Sequence, residues 1–278
     1  MDRLVLSLFP GVGLLDAQFE AEGFCVVRGP DPVWGGDIRR FAPPGRVFQG
    51  IIGGPPCQDF SSARRTAPTG EGVELLAEFA RVVDAAGPDW WLCENVPRVP
   101  DVVAAGYLVQ RLDIDQAWYS GVSRLRHVQF GRRDGASIGP LEIPRGDRCK
   151  DPEPGAMASD GRSFSDLCRL QGLPDGFNLP GFTDKGRKRA VGNGVPCVLG
   201  RVLAQAVRRV VHNEGPGGAE LPTYDTGRRR CSECERVIGP QAVTCSQRCR
   251  KVRSRKACAA SVLAYRSGVR GQEVGGSQ

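Results

Sequence analysis

The run Leu4-Val5-Leu6-Ser7-Leu8-Phe9 ends in Pro10-Gly11-Val12-Gly13, and a segment with Leu15 and Phe19, Ala17 and Ala21 at helical spacing follows until Gly23 stops it. The unit is a strand, a glycine turn and a helix. The alternation continues. Phe24 to Val27 and Val47 to Ile52 read as further strands, the second running into Gly53-Gly54-Pro55-Pro56-Cys57. Leu75, Leu76, Phe79, Val82, Val83 and Ala86 form one apolar helix face closed by Gly87-Pro88, after which Trp90 to Cys93 reads as a buried strand. Strands alternating with helices predict an α/β fold with a doubly wound sheet, in which ligands bind at the carboxyl ends of the strands.

The 278 residues, 40% hydrophobic and 25% charged, suffice for one core and a small appendage, which excludes disordered and collagen-like chains. No run of 18 apolar residues occurs, and the N-terminus has the wrong length and flanks for a signal peptide, so a cytoplasmic protein with no membrane partner is expected. In that compartment the eleven cysteines stay reduced, as core residues, metal ligands or nucleophiles. Two histidines, His127 and His212, leave little material for a Ser-His-Asp hydrolase and none for a multi-histidine metal centre.

The charge is uneven. The formal total is +7, yet Arg228 to Lys256 holds ten Lys and Arg against Glu233 and Glu235, a net +8, so the remainder is close to neutral. The glycine-rich stretch 213–227 reads as a linker, which puts the main domain at 1–212, a basic module at 228–265 and a disordered tail at 266–278.

Three places carry chemistry. The turn Phe9 to Gly13 has little side chain, and the helix behind it offers backbone N–H groups to a carboxylate or phosphate, although a plain tight turn has the same composition. Cys57 follows two prolines that stiffen the loop; a buried structural cysteine is the alternative, but Gly-Gly-Pro-Pro is poor core material. Glu94-Asn95 directly follows two tryptophans and a buried strand. A helix-capping or surface acid is the bland reading, and a partly desolvated glutamate with a raised pKa the sharper one.

Together these residues resemble the DNA cytosine-5 methyltransferases, and the likeness runs through most of residues 4–211. Leu8 to Gly13 is similar to the family's cofactor loop, Gly36-Asp37-Ile38 to its adenine contact, Gly54-Pro55-Pro56-Cys57-Gln58 to its nucleophile loop and Glu94-Asn95-Val96 to its Glu-Asn-Val motif. Arg124-Leu125-Arg126 resembles the paired arginines, Arg169-Leu170-Gln171-Gly172-Leu173-Pro174 the late motif and Gly192-Asn193-Gly194-Val195-Pro196 the final segment. The resemblance implies a Rossmann-like methyltransferase sheet with S-adenosyl-L-methionine held by Phe9, Gly11, Val12, Gly13, Asp31, Asp37, Ile38 and Asn193. It also implies Cys57 as nucleophile, Glu94 and Arg126 as the groups that hold the target ring, and double-stranded DNA as partner, with a restriction partner left open. The chain departs from the pattern in places. Ser7 stands where an acidic residue is usual and Pro10 where a serine is usual, Asp31 is the nearest candidate for the ribose acid, and the glutamine before the paired arginines is missing. The helix expected between Val96 and Tyr107 is cut away, and 134–161 is too short for an independent recognition domain, which points to a short or degenerate target.

In the tail, Cys231-x2-Cys234-x10-Cys245-x3-Cys249 has the paired spacing of a four-thiolate zinc site and resembles a small zinc ribbon or knuckle flanked by cations. Four unrelated thiols are the alternative. Fewer than fifty residues would need the metal in order to fold, and the flanking cations would then face phosphate. Two other functions compete. One is an RNA (tRNA) cytosine-5 methyltransferase, disfavoured by the missing Cys-Phe-Thr motif; the other is a non-catalytic DNA-binding protein, disfavoured by the joint presence of Cys57, Glu94, Arg126 and Asn193.

Overall fold

The computed structural model describes residues 4–61, 67–139, 141, 151–158 and 161–212. The expected linker, the expected zinc-binding module with Cys231, Cys234, Cys245 and Cys249, and the tail lie outside the described residues, as does part of 134–161.

β1 (Leu4–Leu8), α1 (Leu14–Ala21), β2 (Cys25–Arg28), β3 (Gly50–Gly53), α2 (Glu71–Ala86) and β4 (Trp90–Asn95) follow in the expected order. β1 pairs in parallel with β2 and β3, and β3 with β4. The predicted strand over 47–52 is shorter in fact, because Val47 is half exposed and pairing begins only at Gly50. Beyond β4 the chain adds β5 (Leu108–Asp115), β6 (Val122–Ser123), β7 (Leu125–Arg132), β8 (Glu153–Pro154), α3 (Phe164–Gln171), α4 (Asp184–Asn193) and α5 (Cys197–Val211). β7 lies antiparallel to both β4 and β5, so the main sheet has the order β2-β1-β3-β4-β7-β5, parallel over its first four strands and antiparallel beyond β4. β6 and β8 form a separate parallel pair. As expected, residues 96–107 contain no helix. That segment crosses β7 instead, where the buried Gln129 accepts from Val102 N and donates to Pro100 O.

The two tryptophans of β4 show how the sheet is covered on both sides. Trp90 and Trp91 are fully buried and, being adjacent in a strand, point to opposite faces. Trp90 packs with Phe19 of α1, Phe24 and Phe130, while Trp91 meets Phe79 of α2 and Tyr107 edge-on. Each indole fits because its cross-strand partner is a glycine: Gly50 opposite Trp90 and Gly131 opposite Trp91. A Cβ on Gly50 would stand 2.1 Å from Trp90 Cζ2, and one on Gly131 would stand 2.2 Å from Trp91 Cε2. Glu22, at the end of α1, ties α1 to α5 through Gln205 and Arg208.

Going outward from β1, the chain steps to β2 on one side and to β3 on the other, so the order reverses at β1/β3. The crevice beyond the carboxyl ends of strands at such a switch point is where open α/β sheets bind ligands. The turn after β1 and the Cys57 loop after β3 both project there.

Candidate functional site

A cavity of about 720 Å³ opens at this switch point, within the size range of small-molecule sites. Its wall includes Phe9, Gly11, Val12, Asp31, Cys57, Glu94, Arg126 and Asn193. Three other sequence candidates stand off the wall. Gly13 is the buried residue before α1, Ile38 is packed in the core, and Asp37 caps a 3-10 turn by accepting from Arg39 N.

The turn after β1 is held in an unusual conformation. Phe9 and Gly11 both have φ 55°, and Gly13 has φ 78°. For Phe9, which carries a Cβ, such a conformation costs on the order of 1–3 kcal/mol and must be imposed by its surroundings. The surroundings are visible. Asp31 accepts from Gly11 N at 2.8 Å and from Val33 N at 2.7 Å, Trp34 Nε1 donates to Gly11 O at 2.7 Å, and Gly13 N donates to Pro10 O at 2.8 Å. Both backbone groups of Gly11 are thus taken internally, and the buried Asp31 braces the turn. The N–H groups of Gly11 and Gly13 are thus committed within the turn.

Asp16, on the first turn of α1, also lines the cavity and was not singled out in the sequence. It is fully buried; Ser7 Oγ donates to it at 2.6 Å and Arg28 Nε at 3.0 Å. Burial raises its pKa, and the Ser7 hydrogen bond and the Arg28 charge act against that rise. Ser7, the one polar residue in the Leu4–Leu8 strand, was the available clue, because a buried hydroxyl needs a partner.

The Cys57 loop is tied to β4. Asn95 Nδ2 donates to Pro55 O at 2.9 Å, fixing the Pro-Pro-Cys backbone beside the end of that strand. Glu94 lies inside β4, not after it, and is buried. In the β4–β7 register Glu94 faces Val128, so Arg126, two residues along β7, projects from the same face as Glu94. Arg126 Nε comes within 2.8 Å of Glu94 Oε1, a close ion pair whose N–H is not aligned into a hydrogen bond with that oxygen. Burial pushes the Glu94 carboxyl up, and the charges of Arg126 and then Arg124 hold it back. The Cys57 thiol is raised by burial and then by the Glu94 charge, while Arg126 and Arg124 draw it down. One polar constellation therefore sets the ionisation of both Cys57 and Glu94.

Arg124 is buried, and it acts on the opposite wall. Its Nη2 donates to Gly192 O at 2.6 Å and to Gly194 O at 3.2 Å. The fully buried Gln171 donates to Val191 O at 2.6 Å and to Gly194 O at 2.7 Å. Two side chains from distant motifs thus clamp the turn that carries Asn193 at the cavity wall. Burial, then the neighbouring Arg126 charge, brings the Arg124 pKa down to about 9, so it remains a cation at neutral pH. Among the described residues, no cluster of three or more His, Cys, Asp or Glu could hold a metal ion.

Residues 32–103 match the family model of the C-5 cytosine-specific DNA methylases. The chain is 33% identical over 122 residues to the Type II methyltransferase M.AquIA of Picosynechococcus sp., which is 34% of this chain and 49% of that protein. It is 32% identical over 112 residues to the Type II methyltransferase M.NgoPII of Neisseria gonorrhoeae, a third of each chain. It thus spans about half the length, or less, of these curated relatives. A candidate DNA modification methyltransferase encoded within an E. coli prophage shares the fold at a TM-score of 0.59 and 16% identity, over 75% of this chain and 99% of that one. The S. pombe Dnmt2 methyltransferase does so at a TM-score of 0.53 and 12% identity, over 76% and 98%.

Proposed function

We propose, with membership of the C-5 cytosine-specific DNA methylase family as the premise, that this chain is a DNA (cytosine-5)-methyltransferase acting in the cytoplasm on double-stranded DNA. The observation that carries the reading is that Cys57, Glu94 and Arg126 share one cavity with the braced glycine turn. That cavity fits the family's cofactor: it offers an apolar wall in Phe9 and Val12, and the buried Asp16 carboxyl to a cationic ligand. Phe9, Gly11, Val12, Asp31 and Asn193 would hold S-adenosyl-L-methionine, with Asp31 acting through the backbone of Gly11. When bound, that molecule supplies the methyl group. Asp37 and Ile38 have no part in this wall.

Carbon 5 of cytosine is a poor nucleophile until a thiolate adds to carbon 6. Cys57 Sγ would form that bond, and the electron pair displaced into the ring makes carbon 5 an enamine carbon able to attack a methyl group. Glu94 would hold a proton at the ring nitrogen as charge develops there, and burial, which pushes its pKa upward, favours taking up that proton. Arg126, already beside Glu94, would hold the carbonyl oxygen. A base then takes the proton from carbon 5, and the electron pair left behind expels the Cys57 thiolate. Because this ring edge is inaccessible in a duplex, the nucleotide must be flipped out, at a cost of a few kcal/mol. The zinc-bound module at Cys231, Cys234, Cys245 and Cys249 is part of the same proposal, as a cationic anchor on phosphate.

Duplex DNA containing 5-fluorocytosine tests the reading, since the fluorine cannot leave carbon 5 and the adduct persists. Covalent trapping by the wild type and none by Cys57→Ala is the expected result. Trapping that survives in the alanine variant would remove Cys57 from the mechanism, and trapping on tRNA alone would change the substrate.

A further inference from the structure

The tail is not the only dense group of cations. α4 carries Lys185, Arg187, Lys188 and Arg189 within ten residues, and from Gly176 to His212 Asp184 is the one acidic residue. Asp184 accounts for two of the four: Arg187 Nη2 lies 2.9 Å and Lys188 Nζ 3.2 Å from its carboxylate. Arg187 is further committed by stacking over the Phe164 ring at 4.6 Å. Lys185 and Arg189 are exposed, and among the described residues neither has an ion-pair or hydrogen-bond partner. They are four residues apart, so they share one face of the helix, where unscreened like charges oppose each other.

That face has a definite location. Gly186, Arg189, Ala190 and Asn193 line the cavity at a spacing of three, four and seven residues, which makes one helical stripe, and Lys185 adjoins its start. Arg189 therefore lines the cavity that holds Cys57, and Lys185, four residues before it on the helix, adjoins that wall without being part of it. We infer that Lys185 and Arg189 form a phosphate clamp for the DNA strand that carries the target nucleotide. The inference rests on the methyltransferase reading and gives the nearly neutral main domain its own hold on the duplex. The clamp keeps the strand at the cavity mouth.

The test uses the full chain, a short duplex containing cytosine, and binding measured across a salt series. Lys185→Gln with Arg189→Gln removes two phosphate partners, so the slope of log affinity against log salt should flatten by about 1.8. The corresponding loss is about 60-fold at 0.1 M salt and vanishes near 1 M. Lys188→Gln, which removes an equal charge already paired with Asp184, should change the slope much less. Three results would overturn the clamp: an unchanged slope in the double variant, an equal effect per charge from Lys188→Gln, or a loss of S-adenosyl-L-methionine affinity with duplex binding intact. A larger loss on an RNA hairpin than on the duplex would also overturn it as a DNA clamp. Wild-type trapping on 5-fluorocytosine DNA separates the two failures, since trapping with an unchanged slope removes only the clamp, and no trapping removes the catalytic reading beneath it.

Discussion

Arg124→Met is the substitution for which the structure gives the fullest expectation. Methionine keeps length and apolar bulk but takes away the two charge-assisted hydrogen bonds to Gly192 O and Gly194 O. Gly194 O keeps its bond from Gln171, so the uncompensated loss falls on Gly192 O. A hydrogen bond from a charged donor contributes about 1.5–3 kcal/mol. With a smaller part from the shared acceptor, the Asn193 turn should lose about 2–3 kcal/mol of preorganisation. Expressed in full, this weakens cofactor binding by about 25- to 150-fold. A second effect has an independent sign. The Arg124 charge draws the Cys57 thiol down, so its removal raises the pKa of that thiol, and alkylation at a fixed neutral pH should slow while its pH profile moves to higher pH. Calorimetric titration with S-adenosyl-L-methionine and iodoacetamide labelling of Cys57 measure the two effects. Unchanged affinity together with an unchanged labelling profile would refute both roles assigned to Arg124.

Glu94→Gln keeps the shape but cannot give up or take a proton at the ring, so turnover should fall about 100- to 10,000-fold while cofactor binding is nearly retained. The same substitution removes the negative charge that raises the Cys57 thiol, so alkylation of Cys57 should speed up as methyl transfer slows, and parallel losses in both would argue against this geometry. Gly131→Ala forces a methyl group against the fully buried Trp91 indole and should cost about 1–3 kcal/mol or more in urea unfolding, with a change under about 0.5 kcal/mol contradicting the packing. Truncation after Asn213 should flatten the salt dependence of DNA binding by about 0.9 for each phosphate the tail neutralises, and Cys245→Ser or strong chelation should imitate it if zinc folds the module.

Local patterns made the first half of the sheet readable. β1, α1, α2 and β4 are apolar runs with clear periods, and Gly23 and Gly87 mark helix ends. The far half was hidden for a physical reason. β7 reads Leu-Arg-His-Val-Gln-Phe-Gly-Arg, and its His127 and Gln129 are buried because β4, β5 and the 96–107 segment cover them, a fact of tertiary structure with no trace in the period. The site divides in the same way. Cys57, Glu94 and Arg126 were found through their motifs, and the structure brings them to one cavity. Asp16 escaped notice because an acid in the first turn of a helix is ordinary, and Gln171 because its partners lie twenty residues away. Asp37 and Ile38 were carried by the motif alone, and in this chain the stretch between β2 and β3 leaves one capping a turn and the other in the core.

The placement of the indoles gives the protein a set of internal optical probes. Trp90 and Trp91 are fully buried and their Nε1 groups have no hydrogen-bond partner among the described residues, so both should emit at short wavelength, each from a different layer. Trp34 is 62% exposed, donates to Gly11 O on the turn that lines the cavity, and meets Phe182 of the same wall edge-on at 5.8 Å. Its emission should lie to the red and respond when the cavity fills, while Trp90 and Trp91 respond only when the sheet comes apart; the fourth tryptophan, the partly exposed Trp118 of the 3-10 turn 116–118, does not line the cavity and adds a background to both signals. Ligand occupancy and global unfolding can therefore be followed at two wavelengths in the unlabelled chain, and a Trp34→Phe variant assigns the red component.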